Sequence, residues 1–250
     1  QKTNDEFEDL SKVFNELLES VEQSVENIKQ FSSDASHELK TPLTIIQGEI
    51  EMSLNKVQSS EQLEKTLVKI DRQQKNLQDI IQDFLLLSRL DKEVRSDKKS
   101  FLDKVVFDAI EANLELIESK HLELKVSIDE NLEVEFEEKY LFIVINNLLS
   151  NAIKYTNKGY VELRAYENNN YTNFEISDTG IGLEVKDKER IFERFYRVDK
   201  VRTSNKSGVG LGLSIVKKIC DRFNTSIKVK SQINMGTTFE LKMKTKATNE

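Results

Sequence analysis

The chain has 250 residues with a single proline and eight glycines, and its 44 acidic and 37 basic side chains give a net charge of −7. About a dozen prolines would be usual at this length, so collagen-like repeats, glycine-rich disorder and turn-dense sandwiches are excluded and long helices are favoured. The net negative charge argues against general nucleic-acid binding, and 32% charged against 38% apolar residues leaves much solvated surface, which favours two domains with one of them slender.

The first thirty residues carry Phe7, Leu10, Phe14, Leu17, Val21, Ser24, Ile28 and Phe31 at alternating steps of three and four, with only Ser24 polar. That is a coiled-coil seam, too narrow to be buried by one helix, and it predicts a homodimer. The apolar pattern resumes after Pro42 with Leu43, Ile46, Ile50, Leu54 and Val57. It breaks at Gln58-Ser59-Ser60-Glu61, and a second seam from Leu63 runs to about Leu90. Two such helical hairpins from two chains predict a four-helix bundle. Asp91 to Ser100 is charged and aperiodic and reads as a linker. Beyond it, helical spacing over 101–119, 139–155 and 213–223 alternates with strand patterns over 122–128, 132–136, 160–166, 173–177, 226–231 and 237–243. This order predicts an α+β sandwich with helices on one face of a mixed sheet.

His37, His121 and the lone Cys220 leave no disulfide framework and no His- or Cys-rich metal site; the cysteine usage fits a reducing compartment. No run approaches the roughly 18 apolar residues of a membrane span. The start at Gln1, without a signal-peptide pattern, reads as a fragment whose upstream part holds any targeting or membrane segment.

Four clusters carry candidate chemistry, each beside a plainer reading. Pro42 interrupts a helical pattern at a cost of roughly 3 kcal/mol and predicts a kink. One turn before it stand His37 and Thr41, on one face at i and i+4, with Glu38 flanking the imidazole; the plainer reading is a polar helix face. Asn147, Asn151 and Lys154 share a face opposite Leu148, Leu149, Ala152 and Ile153. Two amides and an ammonium suit a metal–phosphate ligand, an amide oxygen joining the shell of Mg²⁺; the alternative is an ordinary amphipathic helix. Asp178-Thr179-Gly180-Ile181-Gly182 follows a strand and could accept from an exocyclic amine while its glycines admit a flat ring; alone it is a glycine turn. Gly208-Val209-Gly210-Leu211-Gly212 opens a helix and can cradle phosphate, but lacks the spacing of the dinucleotide fingerprint and of the P-loop. Between the last two, Phe192 and Phe195 could anchor a lid from which Arg197 reaches a terminal phosphate; a surface helix with a loop is the plainer reading.

Together and in this order, the motifs closely resemble the sensor histidine kinases of two-component signalling. Ser36 to Pro42 is similar to the phosphoacceptor box, Asn147 to Thr156 to the N box, Asp178 to Leu183 to the first glycine box and Ile191 to Tyr196 to the F box. Gly208 to Gly212 resembles the second glycine box and Gly236-Thr237-Thr238-Phe239 the last. The resemblance spans about 30 to 245, and residues 5–18 also resemble the closing helix of a HAMP relay, with an ordinary coiled coil as the alternative. It implies a signalling helix over 1–30, a dimerisation and histidine-phosphotransfer hairpin over 31–95 and a linker over 96–100. A Bergerat-type ATP-binding α/β sandwich over 101–246 and a tail over 247–250 would follow.

The resemblance further implies that His37 attacks the γ-phosphorus of ATP with Glu38 as general base, and that Thr41 positions water for removing phosphate from the partner regulator. Asn151 would coordinate Mg²⁺, Asn147 support metal or phosphates, Lys154 contact phosphate, Tyr155 lie near adenine and Asp178 accept from its amino group. Gly180, Gly182, Gly208, Gly210 and Gly212 would shape pocket and lid, with Phe195, Leu211 and Thr238 also in the nucleotide-binding set and Arg197 in the catalytic one. The phosphoryl group would pass to an aspartate of a response regulator receiver domain, and the whole would be the cytoplasmic portion of a membrane receptor. Glu137, where the family often has aspartate, and Arg222-Phe223-Asn224, in place of the usual His-Gly-Gly, depart from the pattern; His121 and Cys220 are assigned to structure. A dimeric nucleotide-binding scaffold without turnover stays open as an alternative, as does a clamp ATPase of the gyrase or heat-shock-90 type, although the latter lacks the histidine box.

Overall fold

A computed structural model describes residues 2–55, 59–90, 98–198 and 209–245, without the side chains of 2–10, 23–24, 27–28 and 31. Gly208, the polar run to Ser207, most of the 91–100 linker and the tail over 247–250 therefore lie outside the described residues. The chain divides into two compact units, Gln1–Ile80 and Ile81–Glu250.

The first unit is helical. Helix α1 is Lys2–Asn55, 54 residues long, and helix α2 is Ser60–Leu90, whose end from Ile81 onward belongs to the second unit. Pro42 does not end α1, which runs on through it, so no helix boundary separates the expected signalling helix from the phosphoacceptor segment. Pro42 has no N–H for the carbonyl of Glu38, and around it Ser36, Thr41 and Thr44 turn their hydroxyls back onto the carbonyls of Ser32, His37 and Lys40. Helix α2 begins with a capping box: Ser59 Oγ accepts from the Gln62 N–H at 3.3 Å and Gln62 Oε1 from the Ser59 N–H at 3.0 Å, satisfying two orphan donors of the first turn. Lys69 of α2 meets Glu49 of α1 at 2.9 Å. The seam residues Phe14, Leu17, Val21, Leu43, Ile50, Leu54, Leu63 and Leu67 stand exposed on the single chain, Leu54 to 81%.

The second unit holds a five-stranded sheet in the order β2-β4-β5-β7-β6. Its strands are β2 Glu123–Ile128, β4 Tyr160–Asn168, β5 Tyr171–Asp178, β6 Ser226–Gln232 and β7 Gly236–Lys244. Only the β2–β4 pair is parallel. Three helices, α3 Leu102–Ala112, α5 Glu138–Tyr155 and α7 Gly212–Arg222, form the covering layer; the short α4, Leu114–Ser119, and α6, Asp187–Arg190, lie between them in sequence. Period-two burial directs Phe174, Ile176, Phe239, Leu241 and Met243 to the core and leaves Glu175, Glu240 and Lys242 on the other face. From the helices, Leu141, Ile145, Leu148, Leu149, Ile153, Ile215 and Ile219 are fully buried against them, each such side chain contributing about 1.5–3 kcal/mol. Phe136 stacks on Phe223 at 4.2 Å, so the departure at 222–224 supplies a core aromatic.

Three expectations shift in detail. The helix expected over 101–119 is two, because Asn113 breaks it and bonds the carbonyl of Ala109 and the side chain of Asn146. The strand expected over 132–136 shrinks to β3, Glu133–Val134, which pairs with β1, Ser100–Phe101, in a separate ribbon. Strands β4 and β5 extend to Asn168 and Tyr171 because Asn169 and Asn170 both adopt positive φ, the geometry of a two-residue hairpin turn.

Candidate functional site

The polar face of α5 and three loops converge at one end of the sheet. On α5, Leu148, Leu149, Ala152 and Ile153 are buried while Asn147, Asn151 and Lys154 are partly exposed, the division that their spacing predicts. The Asn147 amide donates back to the Ile143 carbonyl at 2.8 Å and its Oδ1 lies against Gly212, where any β-carbon would strike it. The second glycine box is thereby seated on the N box. Lys154 Nζ lies 5.4 Å from the ring centroid of Tyr155. Burial pushes the Tyr155 phenol up from its ordinary value, and the charge of nearby Arg197 opposes that shift.

Asp178 closes β5 on the helix side of the sheet. Burial pushes its carboxyl up to about 6, against hydrogen bonds from the backbone N–H groups of Gly180 and Thr237 and from the Thr156 side chain. The Gly180 N–H bond is 2.7 Å. Gly180 must be glycine: a β-carbon there would lie 2.5 Å from the Tyr155 carbonyl oxygen and 2.7 Å from Asp178 Oδ1. Gly182, at φ +65, would drive one into the backbone of Gln232. The first glycine loop is thus sandwiched between the end of α5 and the β6–β7 turn, where Asn234 N–H meets the Ile181 carbonyl at 2.8 Å. An open depression of about 410 Å³ beside it is lined by Asp178, Lys188, Ser231, Met235 and Thr237, among others.

The F box joins the second glycine box through the backbone. Phe195 has φ +62 and donates its N–H to the Gly210 carbonyl at 3.0 Å, and its ring centroid is 6.1 Å from that of Phe84 near the end of α2. Leu211 is 1% exposed, so its side chain belongs to the core and only its backbone faces the loop. Thr238 lines the depression beside Asp178 but projects from the other face of β7 and shares a 2.9 Å hydrogen bond with Ser177. Thr237, its neighbour, pairs with Asp178 and donates to it. In the first unit, His37 and Thr41 are exposed and Glu38 is half-buried, with Thr41 Oγ1 donating to the His37 carbonyl at 3.2 Å.

Several contributors have no motif signal. Lys120 Nζ donates to the carbonyls of Ile153, Lys154 and Thr156 at 2.6, 2.9 and 2.9 Å. Tyr196 donates to Asp187, 1% exposed, at 2.6 Å, tying the F box to the segment after the first glycine loop. Among the described residues no cluster of three or more His, Cys, Asp or Glu could hold a metal. An ion at this site would rest on amide oxygen, water and ligand phosphates, which fits the coordination habits of Mg²⁺.

The model of the His Kinase A (phospho-acceptor) domain matches residues 27–93, and that of the histidine kinase-, DNA gyrase B- and HSP90-like ATPase matches 136–247. The chain belongs to the histidine kinases. The chain is 33% identical over 247 residues to the signal transduction histidine-protein kinase ArlS of Staphylococcus aureus strain USA300, covering 95% of this chain and 53% of that protein. It thus spans about half the length of the curated relatives it matches. Its fold is similar to that of the Acinetobacter baumannii histidine kinase AdeS, with TM-score 0.67, 20% identity and coverage of 84% of this chain and 98% of the other. It is also similar to the histidine kinase ThkA crystallised in complex with the response regulator protein TrrA, with TM-score 0.71, 21% identity and coverage of 88% and 63%. The second matched model is that of an ATPase and covers most of the α+β unit, which supports ATP as its nucleotide. Among the described residues no helix is long and apolar enough to cross a membrane.

Proposed function

We propose that this chain is the catalytic portion of a two-component sensor kinase that uses ATP to phosphorylate His37 and then passes the phosphoryl group to an aspartate of a response regulator receiver domain. Residues 31–95 serve as the phosphotransfer hairpin and 101–246 as the ATP-binding domain. The observation that carries the reading is the convergence of Asn147, Asn151 and Lys154 with the Asp178–Gly180 loop in a chain whose other unit presents His37 exposed beside Glu38. Adenine would lie by Tyr155 with its amino group donating to Asp178; Gly180, Gly182, Gly210 and Gly212 give the backbone room at base and phosphates. Phe195 anchors the lid base and Arg197 approaches the terminal phosphate.

His37 attacks as a neutral imidazole, Glu38 receives its proton, the bond between the γ-phosphorus and its bridging oxygen breaks, and ADP leaves. Asn151, supported by Asn147, would hold Mg²⁺, whose charge would offset that of the phosphates. Thr41 positions water for the reverse activity on the phosphorylated regulator. The exposed seam along α1 and α2 supports a homodimer through the hairpin, since a second copy would cover Phe14, Leu17, Val21 and Leu67. We place the chain on the cytoplasmic side of a membrane receptor whose anchoring segment lies outside it.

The test is a chase: label acquired from γ-labelled ATP and Mg²⁺ should leave the kinase on addition of a receiver domain and reappear there, and no longer do so when the receiver aspartate is replaced. Label that never leaves the kinase for any receiver domain of the same genome would overturn the transfer step.

A further inference from the structure

We propose that Lys120 is a positioning residue for nucleotide recognition, clamping the end of α5 so that Tyr155 and Thr156 meet the Asp178 loop; this rests on the reading of that loop as the base site. The C-terminus of a helix leaves its last carbonyls without helical partners. In α5 each is accounted for. The Ala152 carbonyl takes the N–H and the hydroxyl of Thr156, at 3.1 and 2.7 Å. The Tyr155 carbonyl takes the Ile181 N–H at 3.3 Å. Those of Ile153, Lys154 and Thr156 all converge on Lys120 Nζ.

An ammonium has three donors, and here all three are used. The charge also opposes the negative end of the helix dipole. Lys120 caps α4, and His121 after it takes φ +52 as the chain turns towards β2. The clamp therefore comes from an element remote from the site in sequence and reaches the turn that carries Lys154 and Tyr155.

From there the connection is short. Thr156, fully buried, gives its hydroxyl proton to the Ala152 carbonyl, and the Tyr155 carbonyl packs against Gly180 and accepts from the Ile181 N–H. The charged groups lining the depression beside Asp178 are Lys188 of α6 and Lys230 of β6; Lys120 is not among them, so it acts on Asp178 through the turn at Tyr155 rather than by its own charge. Loosening the clamp displaces the Tyr155 carbonyl that seats Gly180 and Ile181, and with it the Gly180 N–H that holds the Asp178 carboxyl down, and the pH below which nucleotide binding fails then rises.

The test is titration of the whole chain with ADP in Mg²⁺ from pH 5 to pH 8, for the wild type, Lys120→Met, Thr156→Val, the double variant and Asp178→Asn. Lys120→Met should weaken ADP binding roughly tenfold and move the acid midpoint to higher pH, as Thr156→Val does, with the double variant adding little to either single one. Wild-type affinity and midpoint in a folded Lys120→Met, or weakened binding with an unmoved midpoint and additive effects, would assign Lys120 to stability alone and overturn the proposal. If Lys120→Met does not fold, Lys120→Gln, which keeps two amide donors, should show a smaller shift of the same sign, and an unmoved midpoint there overturns the proposal equally. Wild-type binding by Asp178→Asn would instead overturn the base-site reading itself.

Discussion

Asp178 is a carboxylate in a place that disfavours its charge, so Asp178→Asn should separate stability from binding. Its carboxyl is pushed up to about 6 from an ordinary 3.8, with burial as the leading cause. The folded state therefore holds the proton more tightly than the unfolded one. Between about pH 4 and pH 6 the unfolded chain ionises while the folded chain does not, so this group's contribution to stability falls as pH rises through that window and stays low above it. The difference corresponds to about 3 kcal/mol, and partial exposure of the residue reduces the expected effect to on the order of 1–3 kcal/mol. Asparagine cannot ionise and keeps an oxygen for the Gly180 N–H. Urea titration at pH 7.5 should show the variant more stable than wild type by that margin, and the gap should close at pH 4. ADP affinity should fall roughly 10- to 100-fold through loss of a charged acceptor. Near pH 6, wild-type ADP binding should release roughly half a proton, visible as a buffer-dependent heat, and the variant none. A variant less stable than wild type at pH 7.5, or one with unchanged ADP affinity, would refute the reasoning.

Asn151→Ala should abolish Mg²⁺-dependent nucleotide binding while leaving the dimer intact by light scattering; retained affinity would remove Asn151 from the metal. The two glycines Gly180 and Gly48 should respond oppositely to alanine. Gly48, inside α1 with nothing within 4 Å of a β-carbon, should gain about 0.5–1 kcal/mol of stability. Gly180→Ala should lose about 1–3 kcal/mol by overpacking and most nucleotide binding, as read by thermal melts with and without ADP.

The helices and most strands were legible because burial follows period: the stripe of α5 and the alternation of β5 and β7 appear in sequence as in space. Asn147, Asn151, Asp178 and Gly180 were legible because their residue types are chemically unusual for their positions. The separate placing of Thr237 and Thr238 was not legible because a Thr-Thr pair looks alike in sequence, and only the register, with Asp178 opposite Thr237, tells which of them is its strand partner. The break at Asn113 was hidden because apolar spacing continues through it, and what stops the helix is a side-chain bond to its own backbone and to Asn146. Lys120 and Asp187 carry no motif; one lies 33 or more residues before the carbonyls it holds, and the other is a buried acid in a segment of surface charges.

The central claim is that this chain places phosphate from ATP on His37. Incubated with Mg²⁺ and γ-labelled ATP beside His37→Gln, the wild type should acquire label that survives alkali and is lost in acid, and the variant should acquire none. Label of equal amount on His37→Gln, or label stable to acid, would contradict it.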